Sequence, residues 1–160
     1  GGSLRVFAKK ESLNKYKINK NVQNLLTNEK KTNIDKIIKY KKFNNEINLY
    51  KKNTINFFKR ISSKKKIAGY GAPAKLTTLT HYLNIGKRIN LIFEDNPLKI
   101  GLYTPGYKIR IYDSKEIYRF MPDYIIIFAW NFSKSIVKKH KRYRDLGGKF
   151  IIPFPKFSII

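Results

Sequence analysis

From residue 19 to residue 63 the chain carries neither Gly nor Pro, and its apolar residues recur at steps of three and four. They run Val22, Leu25, Leu26, then Ile34, Ile37, Ile38, then Phe43, Ile47, Tyr50, then Ile55, Phe57, Phe58, Ile61. This period predicts one or two long amphipathic helices, with Thr27 or Asn33 as the break between them. Ahead of them, residues 4–8 (Leu-Arg-Val-Phe-Ala) read as a short strand with no local partner. From Lys65 the pattern changes. Residues 66–71 form a strand running into glycines, and 73–83 a helix with Pro in its first turn. Residues 89–94 form an apolar strand closed by the turn signal Asp95-Asn96-Pro97. A Gly/Pro loop (101–107), a short strand (109–112) and a short helix (114–120) follow. Residues 123–129 read as a strand that is apolar throughout after Asp123, the mark of a buried parallel strand. A helix at 133–146 stops at Gly147-Gly148, and a last strand at 150–152 is ended by Pro153 and Pro155. Strand alternating with helix predicts an α/β fold: an open, doubly wound, mostly parallel sheet with helices on both faces.

Composition narrows the chemistry. The 160 residues include no Cys and only two His, His81 and His140. Disulfides, cysteine-ligated zinc and a thiol nucleophile are excluded within this chain. His81 reads as a packed or surface residue. His140, among Lys138, Lys139 and Lys141, reads as solvated. The longest strongly apolar run, 124–130, cannot span a bilayer, so the expected setting is cytoplasmic, with no membrane partner. The net charge is +25, yet 28 of the 35 basic residues are Lys and seven are Arg. Base and phosphate recognition favours the planar fork of Arg. Lys, Ile and Asn, all with A/T-rich codons, dominate the chain, so codon bias is the preferred source of the charge and no specific nucleic-acid partner is expected. A basic nucleic-acid-binding module remains an alternative.

The most informative stretch is Gly69-Tyr70-Gly71-Ala72-Pro73-Ala74, a GxGxxA pattern between an expected strand and helix. In that context the first Gly permits a tight turn, the second admits a phosphate to the backbone, and the small third residue lets helix and strand pack closely. N–H groups at the helix start then face an anion, and Lys75 adds a charge. Asp95 ends the second strand, 24 residues after Gly71, where an acid takes ribose hydroxyls. A doubly wound sheet brings the Trp130-Asn131 step beside the glycine loop, where Trp walls a pocket and Asn hydrogen-bonds a base or sugar. The loop from Asp95 through Asn96 and Lys99 to Gly106 lies at a strand's carboxyl end, where ligand contacts concentrate. Asp113, Glu116 and Asp123 read as caps and surface residues, and no catalytic base, nucleophile or metal spacing stands out. On these residues alone, a nicotinamide dinucleotide-binding enzyme is also a candidate.

Five ordered stretches carry a resemblance: Gly-Tyr-Gly-Ala-Pro-Ala-Lys (69–75), Asp-Asn-Pro-Leu-Lys-Ile-Gly-Leu-Tyr-Thr-Pro-Gly (95–106), Pro-Asp-Tyr (122–124), Ala-Trp-Asn-Phe (129–132) and Gly-Gly-Lys-Phe-Ile-Ile-Pro-Phe-Pro (147–155). Together they resemble the C-terminal domain of S-adenosylmethionine-dependent sugar C-methyltransferases. Gly-Gly-Ser-Leu-Arg-Val (1–6) is similar to the last strand of that family's central domain. The resemblance implies three parts: 1–10 as that last strand, 11–64 as a helical linker, and 65–160 as a Rossmann-like C-terminal domain. It further implies a zinc-binding N-terminal domain and a donor-binding central domain outside this chain, against which this chain packs. This chain itself is then expected to bind neither zinc nor S-adenosylmethionine. Its partner is a nucleotide-linked 4-keto sugar, held by Gly69, Tyr70, Gly71, Ala72, Lys75, Asp95, Asn96, Lys99, Trp130 and Asn131. In such enzymes a base removes the proton beside the ketone, and the resulting enolate carbon attacks the donor methyl. The base region lies outside this chain, which implies no catalytic residue and no methyl transfer by the chain alone.

Overall fold

The computed structural model describes residues 3–12, 17–154 and 156–160. It divides into two compact units, Gly1–Leu49 and Tyr50–Ile160. In the first, helix α1 spans Lys20–Lys31, capped by the Asn19 side chain, which accepts from the Asn21 N–H. The helix ends at Thr32, and Asn33 turns left-handed (φ 55°). Of the two breaks expected, Asn33 is therefore the one used. It suits that position because a short amide side chain tolerates the left-handed region. Helix α2 spans Ile37–Arg60. No residue of α1 is buried. The strand expected at 4–8 is not formed. A strand exists only through backbone pairing, and among the described residues none pairs with it; Leu4, Val6 and Phe7 lie exposed.

The second unit is a six-stranded sheet in the order β3-β2-β1-β4-β5-β6. The strands are β1 (Ile67–Tyr70), β2 (Leu91–Glu94), β3 (Ile111–Asp113), β4 (Tyr124–Ile127), β5 (Lys149–Ile152) and β6 (Ser158–Ile159). All neighbours are parallel except β5 with β6, which is antiparallel and was not expected. Five strands in the order 3-2-1-4-5 with intervening helices make the doubly wound, Rossmann-like α/β fold. The intervening helices are α3 (Ala74–Leu83), α4 (Ile117–Phe120), α5 (Ser133–Lys139) and α6 (Lys141–Asp145). Side chains alternate across each strand, so both sheet faces are covered. On one, Ile67, Ile92, Ile111, Ile126 and Ile151 pack with Phe58 of α2 and with Leu76, Leu79 and Leu83 of α3. On the other, Tyr70, Phe93, Ile125, Ile127 and Phe150 meet Ile117 of α4, Ile136 of α5 and Tyr143 of α6. Residues 50–64, expected in the linker, thus include side chains of the sheet unit: Thr54 and Phe58 are buried there. Among the described residues no helix is long and apolar enough to cross a membrane.

Two side chains close the amino ends of the central strands. Asn90 Oδ1 accepts the Ile67 N–H at 3.0 Å. Asp123 accepts the Lys66 N–H at 2.8 Å and pairs with Lys65 Nζ at 2.7 Å. These bonds fix the lateral positions of β1, β2 and β4, so their carboxyl ends open at one edge.

Candidate functional site

A cleft of about 400 Å³ opens at that edge, where the chain crosses from β1 to β2 on one side and β4 on the other. This is the topological switch point at which open α/β sheets bind ligands. The two glycines of the loop have different jobs from those expected. Gly69 lies inside β1, and a Cβ there would meet Ile92 Cδ1 at 2.5 Å and the Phe128 ring at 2.7 Å. Its bare backbone serves strand packing. Gly71 makes the turn: its φ is +84°, and a Cβ would lie 2.8 Å from the Ala129 Cβ.

The loop's first donors are committed within the protein. The Gly71 N–H donates to Phe93 O at 2.7 Å, and the Ala72 N–H donates to Glu94 Oε2 at 2.8 Å. The other oxygen of Glu94 accepts from the Asp95 and Asn96 N–H groups, at 2.8 and 3.1 Å. Glu94 therefore braces the glycine loop against the end of β2, a role sequence reading assigned to neither acid. Pro73 precedes α3 and offers no side-chain cap, and within the first turn the Leu76 N–H donates to Pro73 O at 2.9 Å. Lys99 reaches back over the loop: its Nζ donates to Ala72 O at 3.0 Å and lies 3.9 Å from Glu94.

Asp95 is held by three donors. Tyr70 Oη donates to its Oδ2 at 2.8 Å, while Ser114 Oγ and Lys139 Nζ donate to its Oδ1, both at 2.5 Å. Partial burial alone would push the Asp95 carboxyl up, but the hydrogen bonds from Lys139, Ser114 and Tyr70 outweigh it and hold the pKa below the usual carboxylate value. Burial, reinforced by the bond to Asp95, drives the Tyr70 hydroxyl far above the ordinary tyrosine range. Behind Tyr70 sits His140, with Nε2 3.1 Å from Tyr70 Oη and Nδ1 3.4 Å from Tyr118 Oη. Tyr70 has one hydroxyl proton and gives it to Asp95, so His140 must donate Nε2–H and accept at Nδ1. Burial first and the charge of Lys139 second lower its pKa, which keeps the ring neutral near pH 7.

The expectation of a solvated His140 is therefore corrected: the residue is 3% exposed. Of its lysine neighbours in sequence, Lys138 and Lys141 are exposed, while Lys139 joins the same network, its Nζ 3.4 Å from Tyr70 Oη. The expected helix at 133–146 also breaks at His140 (φ −108°, ψ 36°) into α5 and α6. His81 is exposed, its ring 4.5 Å from that of Tyr107.

Of the residues expected at the site, Tyr70, Gly71, Ala72, Asp95 and Lys99 line the cleft; Gly69, Lys75, Asn96, Trp130 and Asn131 are not among its lining residues. Lys75 is engaged over the Trp130 ring, 3.7 Å from its centre. Trp130 in turn packs on Phe154 at 5.2 Å. Asn96 spends its Oδ1 on the Leu98 N–H, and Asn131 is exposed in the short turn Trp130–Phe132. The residues that sequence reading missed are Glu94 and one face running into α5: Phe132, Ser135, Ile136 and Lys139. Their spacing of three, four and seven from Phe132 was a readable signal, because residues so spaced share a helix face. As for zinc, the chain has no Cys, and among the described residues no three His, Asp or Glu side chains converge; the residues present do not fit it.

Comparison with known proteins gives two findings. The model of a family described as the C-methyltransferase C-terminal domain matches residues 1–155. The chain is also 28% identical over 162 residues to the C-methyltransferase NovU of Streptomyces niveus, covering 100% of this chain and 38% of that relative. The chain thus spans well under half the length of the curated relative that it matches.

Proposed function

Because the chain belongs to the family of C-methyltransferase C-terminal domains, we propose that it is the substrate-holding domain of an S-adenosylmethionine-dependent C-methyltransferase. The substrate is a nucleotide-linked 4-keto sugar, methylated at the carbon beside the ketone, in the cytoplasm. S-adenosylmethionine, when bound, supplies an electrophilic methyl group. It and the zinc belong to parts of the protein outside this chain, against which this chain packs. This chain's own work is to bind and orient. The nucleotide end lies in the switch-point cleft, where Gly71 admits it close to the backbone, and the sugar extends toward the donor-binding part. The observation that carries this reading is the cleft itself. It has a glycine turn, the uncapped first turn of α3, and lysines alternating with carboxylates, all on one sheet edge. Such an array suits a ligand with both anionic phosphates and hydroxyl donors.

Two assays test it. Calorimetry with thymidine and uridine diphosphates is expected to give saturable binding to the chain, and no binding of either would contradict the reading. Incubation of the chain with labelled S-adenosylmethionine and 4-keto sugar nucleotides is expected to transfer no label above background. Transfer would place donor site and base on this chain.

A further inference from the structure

We propose that the ligand-contacting groups of the cleft are Lys99, Lys139 and Phe132: the two lysines take the phosphates, and the Phe132 ring takes the nucleobase. This rests on the nucleotide reading above and names the residues that would carry it. Three cationic side chains lie near the glycine loop, and their surroundings differ. Lys75 has its ammonium over the Trp130 ring and does not line the cleft. Lys99 and Lys139 do line it, one from the loop after β2 and the other from the last turn of α5. Their side chains are 40% and 50% exposed.

Each ammonium group is positioned by partners of its own: Lys99 Nζ donates to Ala72 O at 3.0 Å and lies 3.9 Å from Glu94, and Lys139 Nζ donates to Asp95 Oδ1 at 2.5 Å with Ser114 Oγ at 3.3 Å and Tyr70 Oη at 3.4 Å. Those contacts fix where the ammonium groups stand, so less side-chain entropy is lost when an anion arrives. Glu94 and Asp95 are themselves anchored, by the Ala72 N–H and by Tyr70 and Ser114. The cation positions are therefore set by β-strand ends and not by loop side chains alone.

The aromatic contact follows by the same reasoning. Trp130 presents one face to Lys75 and packs on Phe154. Phe132, two residues on, lines the cleft and is 66% exposed. An exposed phenyl ring beside paired cations is costly to leave in water and offers a stacking platform to a base. Phosphate-binding lysines and a stacking ring on one cleft select a nucleotide over a bare anion.

The test uses calorimetry on the full chain with uridine, uridine monophosphate and uridine diphosphate. In the wild type, the diphosphate is expected to bind at least about tenfold more tightly than uridine. In Lys99→Met and in Lys139→Met that phosphate-dependent gain should fall by about fivefold or more each, with uridine affinity kept. Lys139→Arg, which retains the pair with Asp95, should retain most of the gain and guards against a Lys139→Met chain that fails to fold. Phe132→Ala should weaken uridine and uridine diphosphate by the same factor, about fivefold or more. Lys75→Met should change none of these by more than about twofold. Nucleotide binding that survives intact in the Lys99 and Lys139 variants, or that is lost in Lys75→Met, overturns this assignment and leaves the nucleotide reading standing. Absence of binding by all three ligands to the wild type overturns both.

Discussion

Gly71 has to satisfy two demands at once, a left-handed backbone and contact with Ala129. A Cβ there pays the left-handed penalty of about 1–2 kcal/mol and overpacks the crossing between β1 and β4. Gly71→Val is expected to destabilise the chain by roughly 2–4 kcal/mol in urea denaturation. Gly71→Ala, with the smaller clash, should cost less. An unchanged midpoint in both would mean that the loop has another accessible conformation. His140 makes a pH-dependent contribution whose sign is fixed by its burial. Its folded-state pKa lies below the ordinary 6.5. On acidification from about pH 6.5 the unfolded chain therefore takes up a proton first, and stability is lost as pH falls toward the depressed folded value. Above pH 6.5 both states are neutral and the contribution is flat. The urea midpoint is expected to drop between pH 7 and pH 5, and to drop less in His140→Gln. An equal drop in the variant would assign the pH dependence to other groups. Why the site was only half legible is also visible at this scale. Asp95, expected at the site, does line the cleft, but the acid one residue earlier, Glu94, which braces the glycine loop, was passed over. Which of two adjacent acids faces the loop depends on strand register, and that is set by pairing across β1 and β2. Likewise the solvated appearance of His140 came from its lysine neighbours, while its burial comes from Tyr70, seventy residues away in sequence.

Among elements, β1 has the most at stake, since it pairs with β2 and with β4. Its first N–H, on the fully buried Ile67, is satisfied by the Asn90 side chain. Asn90→Ala leaves that donor without its acceptor, at a cost of about 1–3 kcal/mol. Asp123→Asn keeps an acceptor for the Lys66 N–H and gives up an exposed ion pair, so it should cost below about 1 kcal/mol. Equal losses in the two variants would contradict this ranking of buried bond over surface charge. Helix α1 is the opposite case. Twelve residues are marginal as an isolated helix, and α1 buries none of its own. In the chain by itself its amides are expected to exchange with deuterium orders of magnitude faster than those of β1 and β4; comparable protection would show a stabilising contact on α1. The strands of the sheet were legible because apolar runs bounded by Gly and Pro leave few alternatives. The two-residue β6 was not, because Ser158–Ile159 is too short for a period and its pairing is antiparallel. The helix at 133–146 was read as continuous because its apolar spacing is helical on both sides of His140, and the break is a tertiary choice.

At the scale of the whole molecule, the net charge of +25 is spread over Lys far more than Arg, and within the cleft it is balanced: Lys99 and Lys139 face Glu94 and Asp95. The function proposed rests on that local pattern and on family membership, not on the overall charge. The chain spans 38% of the relative's length, and the work proposed for it is binding. The most direct measurement is an amide NMR titration of the chain with uridine diphosphate. Saturable shifts are expected only at the switch-point edge: Gly71 and Ala72, Glu94 through Lys99, and Phe132 through Lys139. Saturable shifts centred instead at the other end of the sheet, around Arg88 and Asn90, or no saturable shifts at millimolar ligand, would contradict it.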